Sequence, residues 1–454
     1  MKSQTETIDL NRRDFLRDGS FASLMVMLGT VELRAQNVPD PKVEKTYAGD
    51  PVNVALIGCG QHGREILRHL ALLGNASVVA TCDTYPAMLR RTKDLAPKAE
   101  PTEDYKQVLG RKDVEAVVIA TPSHQHKQIV LDALAAGKHV YCEAPLANTI
   151  EDARAIAKAA QDHPRFVFQS GLQMRSDPQR RFLLDFVRAG AAGRNVYARA
   201  QWQKKTSWRQ ASPNPERELA VNWRLRSETS LGLVGEIGMH QIDVLGWFMN
   251  ARPVAVTGHG HIVQWNDGRD VPDTVHASFE FPGHVMLNYS ASLANSFDAD
   301  YEMIYGTDAA VMLRQNKAWM FKEVDAPLLG WEVYARKDTF YKETGIALVA
   351  NATKLVAQGD KPVEEAPFAE NPLHFALESF LINVNELKTG VEDFNATFNP
   401  NDTPALVKYL ASIKRQPAAG YREGYEAAVT AIVANQAIQK RTRIPFSKEW
   451  FDIG

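Results

Sequence analysis

The stretch from Asn53 to Leu73, NVALIGCGQHGREILRHLALL, restricts the fold more than any other part of the chain. Val54–Ile57 is a short apolar run rich in β-branched residues, the pattern of a strand buried on both faces. Gly58, Gly60 and Gly63 follow in G-x-G-x-x-G spacing, with Gln61 and His62 between the second and third glycines. Ile66, Leu67, Leu70 and Leu73 then recur at helical spacing. The first glycine permits a tight turn, the second lets the backbone approach a pyrophosphate, and the third lets helix and strand pack closely. The free N–H groups and positive dipole end of such a helix favour phosphate.

A second apolar run, SVVATCD, ends in Asp83, 20 residues beyond Gly63. A carboxylate there can bind a ribose 2′-hydroxyl, which points to NAD in preference to NADP. NADP stays open if Arg90 or Arg91 reaches a 2′-phosphate, and a helix cap is the plainer role for Asp83. The alternation continues through EAVVIATP, HKQIVLDALAAG, KHVYCEAP, TIEDARAIAKAAQ and RFVFQSG. Strands alternating with helices give a doubly wound parallel sheet, whose ligands bind at the carboxyl ends of the strands. That rule gathers Thr121, Pro122, His126, Glu143, Ala144, Pro145 and Gln173 around the nicotinamide end of a dinucleotide.

After Gly171 the period changes. RRFLLDFVRAGAAG reads as a helix. NVYARAQWQ, VAVTGHGHIV, TVHASFEFPG, HVMLNYSASL and DYEMIYGTDAAVMLR alternate polar and apolar residues, as strands with one buried face do. From about Asn316 onward the pattern reads as helices and loops. The expected fold class is an α/β Rossmann domain with a doubly wound parallel sheet, followed by an α+β domain with a large, mainly antiparallel open sheet. The boundaries expected are a signal peptide over 1–35, a linker over 36–50, a dinucleotide domain over 51–172 and a substrate domain over 173–454.

Residues 222–249 carry Glu236-x-Gly238-x-His240-x-x-Asp243. On an α-helix these three polar side chains share a face. An imidazole with a pKa near neutrality suits removal of a hydroxyl proton, and a carboxylate beside it would orient the ring. A structural helix histidine, or a metal site lacking further ligands at a supporting spacing, are the other readings. Trp223 and Arg224 precede this segment and Lys204 lies upstream; each could touch a sugar, and each tryptophan could equally be core.

VALIGCGQHG, ATPSHQH and AAGKHVYCEAPLA, in this order, resemble the Gfo/Idh/MocA family of sugar and polyol oxidoreductases. The resemblance implies a nicotinamide near Thr121, Pro122 and His126. It implies His240 as the group that moves the hydroxyl proton, aided by Glu236 where the family usually has Asp. It also implies a substrate wall at Glu143, Ala144 and Pro145, where the family's Glu-Lys-Pro would have lysine in place of Ala144. Trp223, Arg224, Asp243 and Lys204 complete the expected substrate side. Three activities follow: an NAD(P)-dependent oxidoreductase acting on a sugar, glycoside or polyol hydroxyl; a redox-neutral NAD-dependent glycosidase; and a non-catalytic nucleotide or sugar binder.

At the N-terminus, NRRDFLR precedes the apolar FASLMVMLGTV, which looks like a twin-arginine export signal with cleavage after Ala35. That route carries folded proteins, so a cofactor can travel inside the chain to the periplasm or beyond. No recycled NAD pool exists there, which favours a retained cofactor. No further run reaches the length of a bilayer span, so no membrane insertion is expected after signal removal. The net charge of −2 and the absence of a basic run give no case for nucleic acid. The three cysteines, Cys59, Cys82 and Cys142, sit in or beside apolar runs as small hydrophobes, and no spacing suggests a metal. The expected partners are a small carbohydrate and further copies of the chain in a homo-oligomer.

Overall fold

The structure is a computed structural model that describes residues 50–315, 317–329, 337–340, 343–348 and 371–454. The expected export signal and almost all of the expected linker lie outside these residues. The chain divides into two compact units, one of residues 47–181, 198–302 and 370–454, the other of residues 182–197 and 303–369 together with the N-terminal stretch.

The larger unit contains a six-stranded sheet in the order β3-β2-β1-β4-β5-β6. Its strands are β1 (Val52–Ile57), β2 (Ala76–Cys82), β3 (Glu100–Thr102), β4 (Ala116–Ile119), β5 (His139–Cys142) and β6 (Phe168–Ser170). Every pairing is parallel, as unbroken apolar runs joined by helical crossovers require. Strand order reverses between β1 and β4, which opens a crevice at their carboxyl ends. Helix α1 (Gln61–Leu72) buries Ile66, Leu67 and Leu70 against Val54 and Leu56 of β1. Phe380, Leu381 and Val384 of α5 (Pro372–Thr397) share the same core, so the C-terminal part of the chain returns to cover the first sheet. Between these helices in sequence come α2 (His126–Ala135), α3 (Ile150–Asp162) and α4 (Met239–Met249). Thr149 caps α3 by accepting the Asp152 N–H. Helix α6 (Tyr421–Lys440) is buried along most of its length and lies against α3.

Beyond these parallel strands, the larger unit holds β8 (Ala255–His261), β9 (Thr274–Phe281), β10 (Val285–Ser292) and β16 (Ile444–Pro445), paired antiparallel in the order β10-β9-β8-β16, and most of β7 (Asn195–Gln203). Buried and open positions alternate along β9, as one-sided sheets demand.

The smaller unit carries β12 (Ala309–Arg314), β13 (Lys317–Lys322), β14 (Lys337–Phe340) and β15 (Glu343–Ala347), all antiparallel. Here the sequence expectation needs correcting. Strands continue to Ala347, well past Asn316, and DYEMIYGTDAAVMLR is two strands, β11 (Asp300–Gly306) and β12. Short strands separated by polar turns leave too brief a period for the pattern to be read from sequence.

Candidate functional site

The glycine loop is shaped by contacts that only glycine allows. Gly58 has φ of +100°, a conformation that side chains rarely adopt. A Cβ on Gly63 would stand 1.9 Å from the Gly58 carbonyl oxygen, so any larger residue would force α1 off β1. Gly60 is different: a Cβ there would meet nothing within 4 Å. The space in front of the α1 N-terminus is open, and no side chain caps it. Such a cradle of free N–H groups fits a pyrophosphate. Asp83 holds the loop from the end of β2, accepting the Cys59 N–H at 2.9 Å and the Tyr85 N–H at 2.9 Å. Arg90 and Arg91 are exposed.

Around the crevice, sequence-named side chains present buried polar atoms with no partner: Thr121 Oγ1, Gln173 Oε1 and His240 Nδ1. Unpaired buried polar atoms are rare in folded proteins, so their convergence near one crevice fits a ligand. Pro122 starts the short turn Ser123–Gln125. His126 is buried, with Nε2 at 2.9 Å from the Thr121 carbonyl and Nδ1 at 3.1 Å from the Pro145 carbonyl. It ties together the loops after β4 and β5, and the Ala144–Pro145 peptide in that second loop is cis. His126 thus fixes these two loops to each other at the carboxyl ends of β4 and β5.

Glu143 is the centre of the charge arrangement. Its Oε1 lies 2.9 Å from His62 Nε2. Burial alone would push this carboxyl up; His62, the charge of His240 and the Ala144 N–H outweigh burial and hold it below its ordinary value. Glu143 in turn raises His62, whose side chain is 44% exposed and reaches water. His240 is lowered by burial, against the pull of Glu143 and Asp243. Gly171 makes the arrangement possible, because a Cβ there would stand 2.4 Å from Glu143 Oε2 and 2.9 Å from its Cα.

The Glu236-to-Asp243 segment is arranged differently from a plain α-helix. Val234–Gly238 forms a π-turn leading into α4. The extra residue in that turn rotates Glu236 away from the register that α spacing gives, and such turns recur at functional sites. Glu236 accepts from the Leu231 N–H at 3.1 Å and the Ser230 hydroxyl at 3.3 Å. Burial pushes its carboxyl up, against the pull of the Arg224 charge. The carboxylates whose charge acts on His240 are Glu143 and Asp243, and Glu236 is not among them. Asp243 is committed to a bidentate pair with Arg175, at 2.8 and 2.9 Å. Arg175 also lies over the Trp247 ring, 5.2 Å from its centroid. Asp243 thus braces α4 beside Gln173.

Trp223 lies beside His124, ring centroids 6.0 Å apart, and the Arg224 guanidinium lies over the Trp223 ring, 4.5 Å from its centroid. Lys204 is exposed, and its backbone N–H bonds the Ser292 carbonyl. Sequence reasoning missed His124, Arg175 and Gly171. His124 stands within ATPSHQH and was within reach; nothing local ties Arg175 to Asp243. All three cysteines are buried and free, and burial raises each thiol. Among the described residues no group of three or more His, Cys, Asp and Glu side chains could hold a metal, and no helix is long and apolar enough to cross a membrane.

Residues 52–170 match the model of the oxidoreductase family with NAD-binding Rossmann fold, and residues 181–312 match the GFO/IDH/MocA C-terminal domain. The chain belongs to the Gfo/Idh/MocA oxidoreductase family. It is 24% identical over 266 residues to 2,7-anhydro-N-acetylneuraminate hydratase of Mediterraneibacter gnavus, covering 58% of this chain and 67% of that one. It is 28% identical over 217 residues to a glycosyl hydrolase family 109 protein of Shewanella pealeana, covering 44% and 47%. The matched stretches thus span about half to two thirds of these relatives. The fold is similar to that of levoglucosan dehydrogenase in complex with NADH and L-sorbose, with a TM-score of 0.64 and 19% identity over 87% of this chain and 99% of that one.

Proposed function

We propose that this family member oxidises a hydroxyl of a sugar, glycoside or polyol with a nicotinamide dinucleotide that it retains. The observation that carries the reading is the pairing of an open, uncapped phosphate cradle at Gly60 with the His62–Glu143–His240 charge cluster at the ends of β1 and β5. When bound, the nicotinamide supplies reversible hydride acceptance. The N–H groups of Gln61 and His62 would meet the pyrophosphate, Asp83 the ribose, and Thr121 and Gln173 the nicotinamide end.

His240, lowered by burial and so neutral at physiological pH, takes the proton of the reacting hydroxyl. Glu143 stabilises the imidazolium that results. Its other partner, His62, is open to water and relays the proton outward. Ala144 stands where the family resemblance implies lysine, so no ammonium group lies at that position, and the charged groups beside it are Glu143 and His62. Glu236 and Arg224 line the approach, with Trp223 as a stacking surface for a sugar face.

A second reading is favoured by the relatives named hydratase and glycosyl hydrolase. Transient oxidation of a ring hydroxyl acidifies the neighbouring C–H. Elimination across that bond, addition of water and return of the hydride then give a product with no net redox change. Export through the N-terminal twin-arginine segment, with the mature domains over 51–172 and 173–454, agrees with a retained cofactor under either reading.

The experiment is to denature purified protein, assay the supernatant for NAD and NADP in both redox states, and challenge intact protein with free sugars and glycosides. Net reduced nicotinamide supports the first reading. Release of sugar without net reduction supports the second. Absence of bound or bindable nucleotide would overturn both. Ala144→Lys sharpens the choice: it should leave nucleotide content unchanged, and raise net oxidation only if the first reading holds.

A further inference from the structure

Between β7 and the π-turn, residues 204–229 leave the antiparallel sheet and run over the crevice of the parallel one. Arg217, on the short helix Pro215–Val221, places its guanidinium 4.2 Å above the Tyr85 ring. Tyr85 follows β2 and donates its N–H to Asp83, the carboxylate at the ribose position. Further along, Trp223 meets His124, which follows β4. Beyond it, the Glu228 carbonyl accepts from the Asn148 amide at 3.0 Å, in the loop after β5. One excursion of the chain therefore touches the carboxyl ends of three parallel strands, from the adenosine side of the crevice to the nicotinamide side. Dinucleotides lie along that edge.

The near end of the excursion is anchored. Buried Arg269 donates to the Ser207 carbonyl and pairs with Asp267. The Asn222 side chain closes a loop with Gln210, bonding its N–H at 2.8 Å and its carbonyl at 3.0 Å. Between these anchors Trp208 holds φ of +62°, unusual for a bulky residue and maintained only by firm surroundings. Within the loop that Gln210 and Asn222 close, Arg217 Nε is buried with no partner.

The geometry points to a cofactor strap. Residues 204–229 hold a dinucleotide in the crevice, with Arg217 and Tyr85 as the wall of the adenosine pocket. A planar guanidinium already stacked on one ring can present its free N–H to the ribose or cover an adenine face. Arg217 must part from Tyr85, and the Trp223–Glu228 stretch from the loops after β4 and β5, before a dinucleotide can leave, so release is slow compared with turnover. This rests on the reading that the Gly58–Gly63 loop holds a dinucleotide.

The test is the release rate of NADH from the full chain, followed by fluorescence during a chase with excess NAD. Arg217→Ala and Tyr85→Ala should each speed release about tenfold, the loss expected for one desolvated cation–π contact. Arg217→Lys should fall between. A second measurement does not depend on the variants: bound NAD should slow tryptic cleavage of the parent chain after Lys204, Arg209 and Arg217. Release rates within twofold of the parent, or cleavage unaffected by NAD, would overturn the strap while leaving the dinucleotide site standing. A parent chain that binds no NADH would overturn the dinucleotide reading and the strap with it.

Discussion

The glycine loop presents backbone; two strands away in the sheet, the cluster around Glu143 presents side chains that set one another's charge. Gly58 and Gly63 fix the loop through steric contacts that hold at any pH. His62, Glu143 and His240 depend on each other, and moving one changes the other two. The comparison explains why one half of the site resembles a whole family while the other departs from it at Ala144. A backbone cradle has one sequence solution. A charge cluster has several, provided a carboxylate, a proton acceptor and a route to water are kept.

The difference can be attacked from either side. The largest effect should come from His240→Ala, which removes the proton acceptor: kcat should fall about 10²–10⁴-fold with nucleotide content unchanged. Equal loss of nucleotide and activity would show that the two halves are not separable. Gly171→Ala comes next. Its Cβ would overlap Glu143 and displace the carboxylate by a fraction of an ångström or more, so kcat should drop by up to about a hundredfold with NAD affinity within a few-fold of the parent. Gly63→Ala strikes the backbone half: overpacking should cost about 1–3 kcal/mol in denaturant unfolding and abolish nucleotide binding.

His62→Gln has the smallest expected effect and is the sharpest in sign. His62 lowers His240, and it also neutralises Glu143, which raises His240. Without His62 both changes push His240 up, so the acidic limb of kcat/KM moves to higher pH. Stability should respond too. His62 is raised, so its contribution is complete below its ordinary value of 6.5 and is lost as pH rises through the raised value. Glu143 is lowered, so its contribution is present above 4.5 and is lost as pH falls through the lowered value. The Tm difference between parent and variant should therefore be greatest between those two ordinary values and shrink on both sides. A constant difference across pH would show that the pair is not ionic.

The sequence made one half far easier to read than the other. G-x-G-x-x-G, the apolar runs and Asp83 carry their meaning locally, and the parallel sheet follows from them. The partnership of His62 with Glu143 joins the start of α1 to the end of β5, four strands further along the chain, and leaves no local trace. Glu236, His240 and Asp243 share a face only if the helix is regular, and the π-turn at Val234–Gly238 breaks that assumption. Asp243 is engaged by Arg175 from a separate segment, a pairing that requires the folded chain. The strands beyond Asn316 were hidden by their shortness.

The account's central claim is that a retained nicotinamide and the His240–Glu143 pair act together on one sugar hydroxyl. Rapid mixing of nucleotide-loaded protein with a reactive glycoside or polyol, followed by nicotinamide absorbance within a single turnover, tests this most directly. The account predicts a rise in the reduced-nicotinamide signal in the parent, persistent or transient according to the reaction's outcome, and none in nucleotide-loaded His240→Ala. Product formed by the parent with no such signal at any time, or an undiminished signal in His240→Ala, would contradict it.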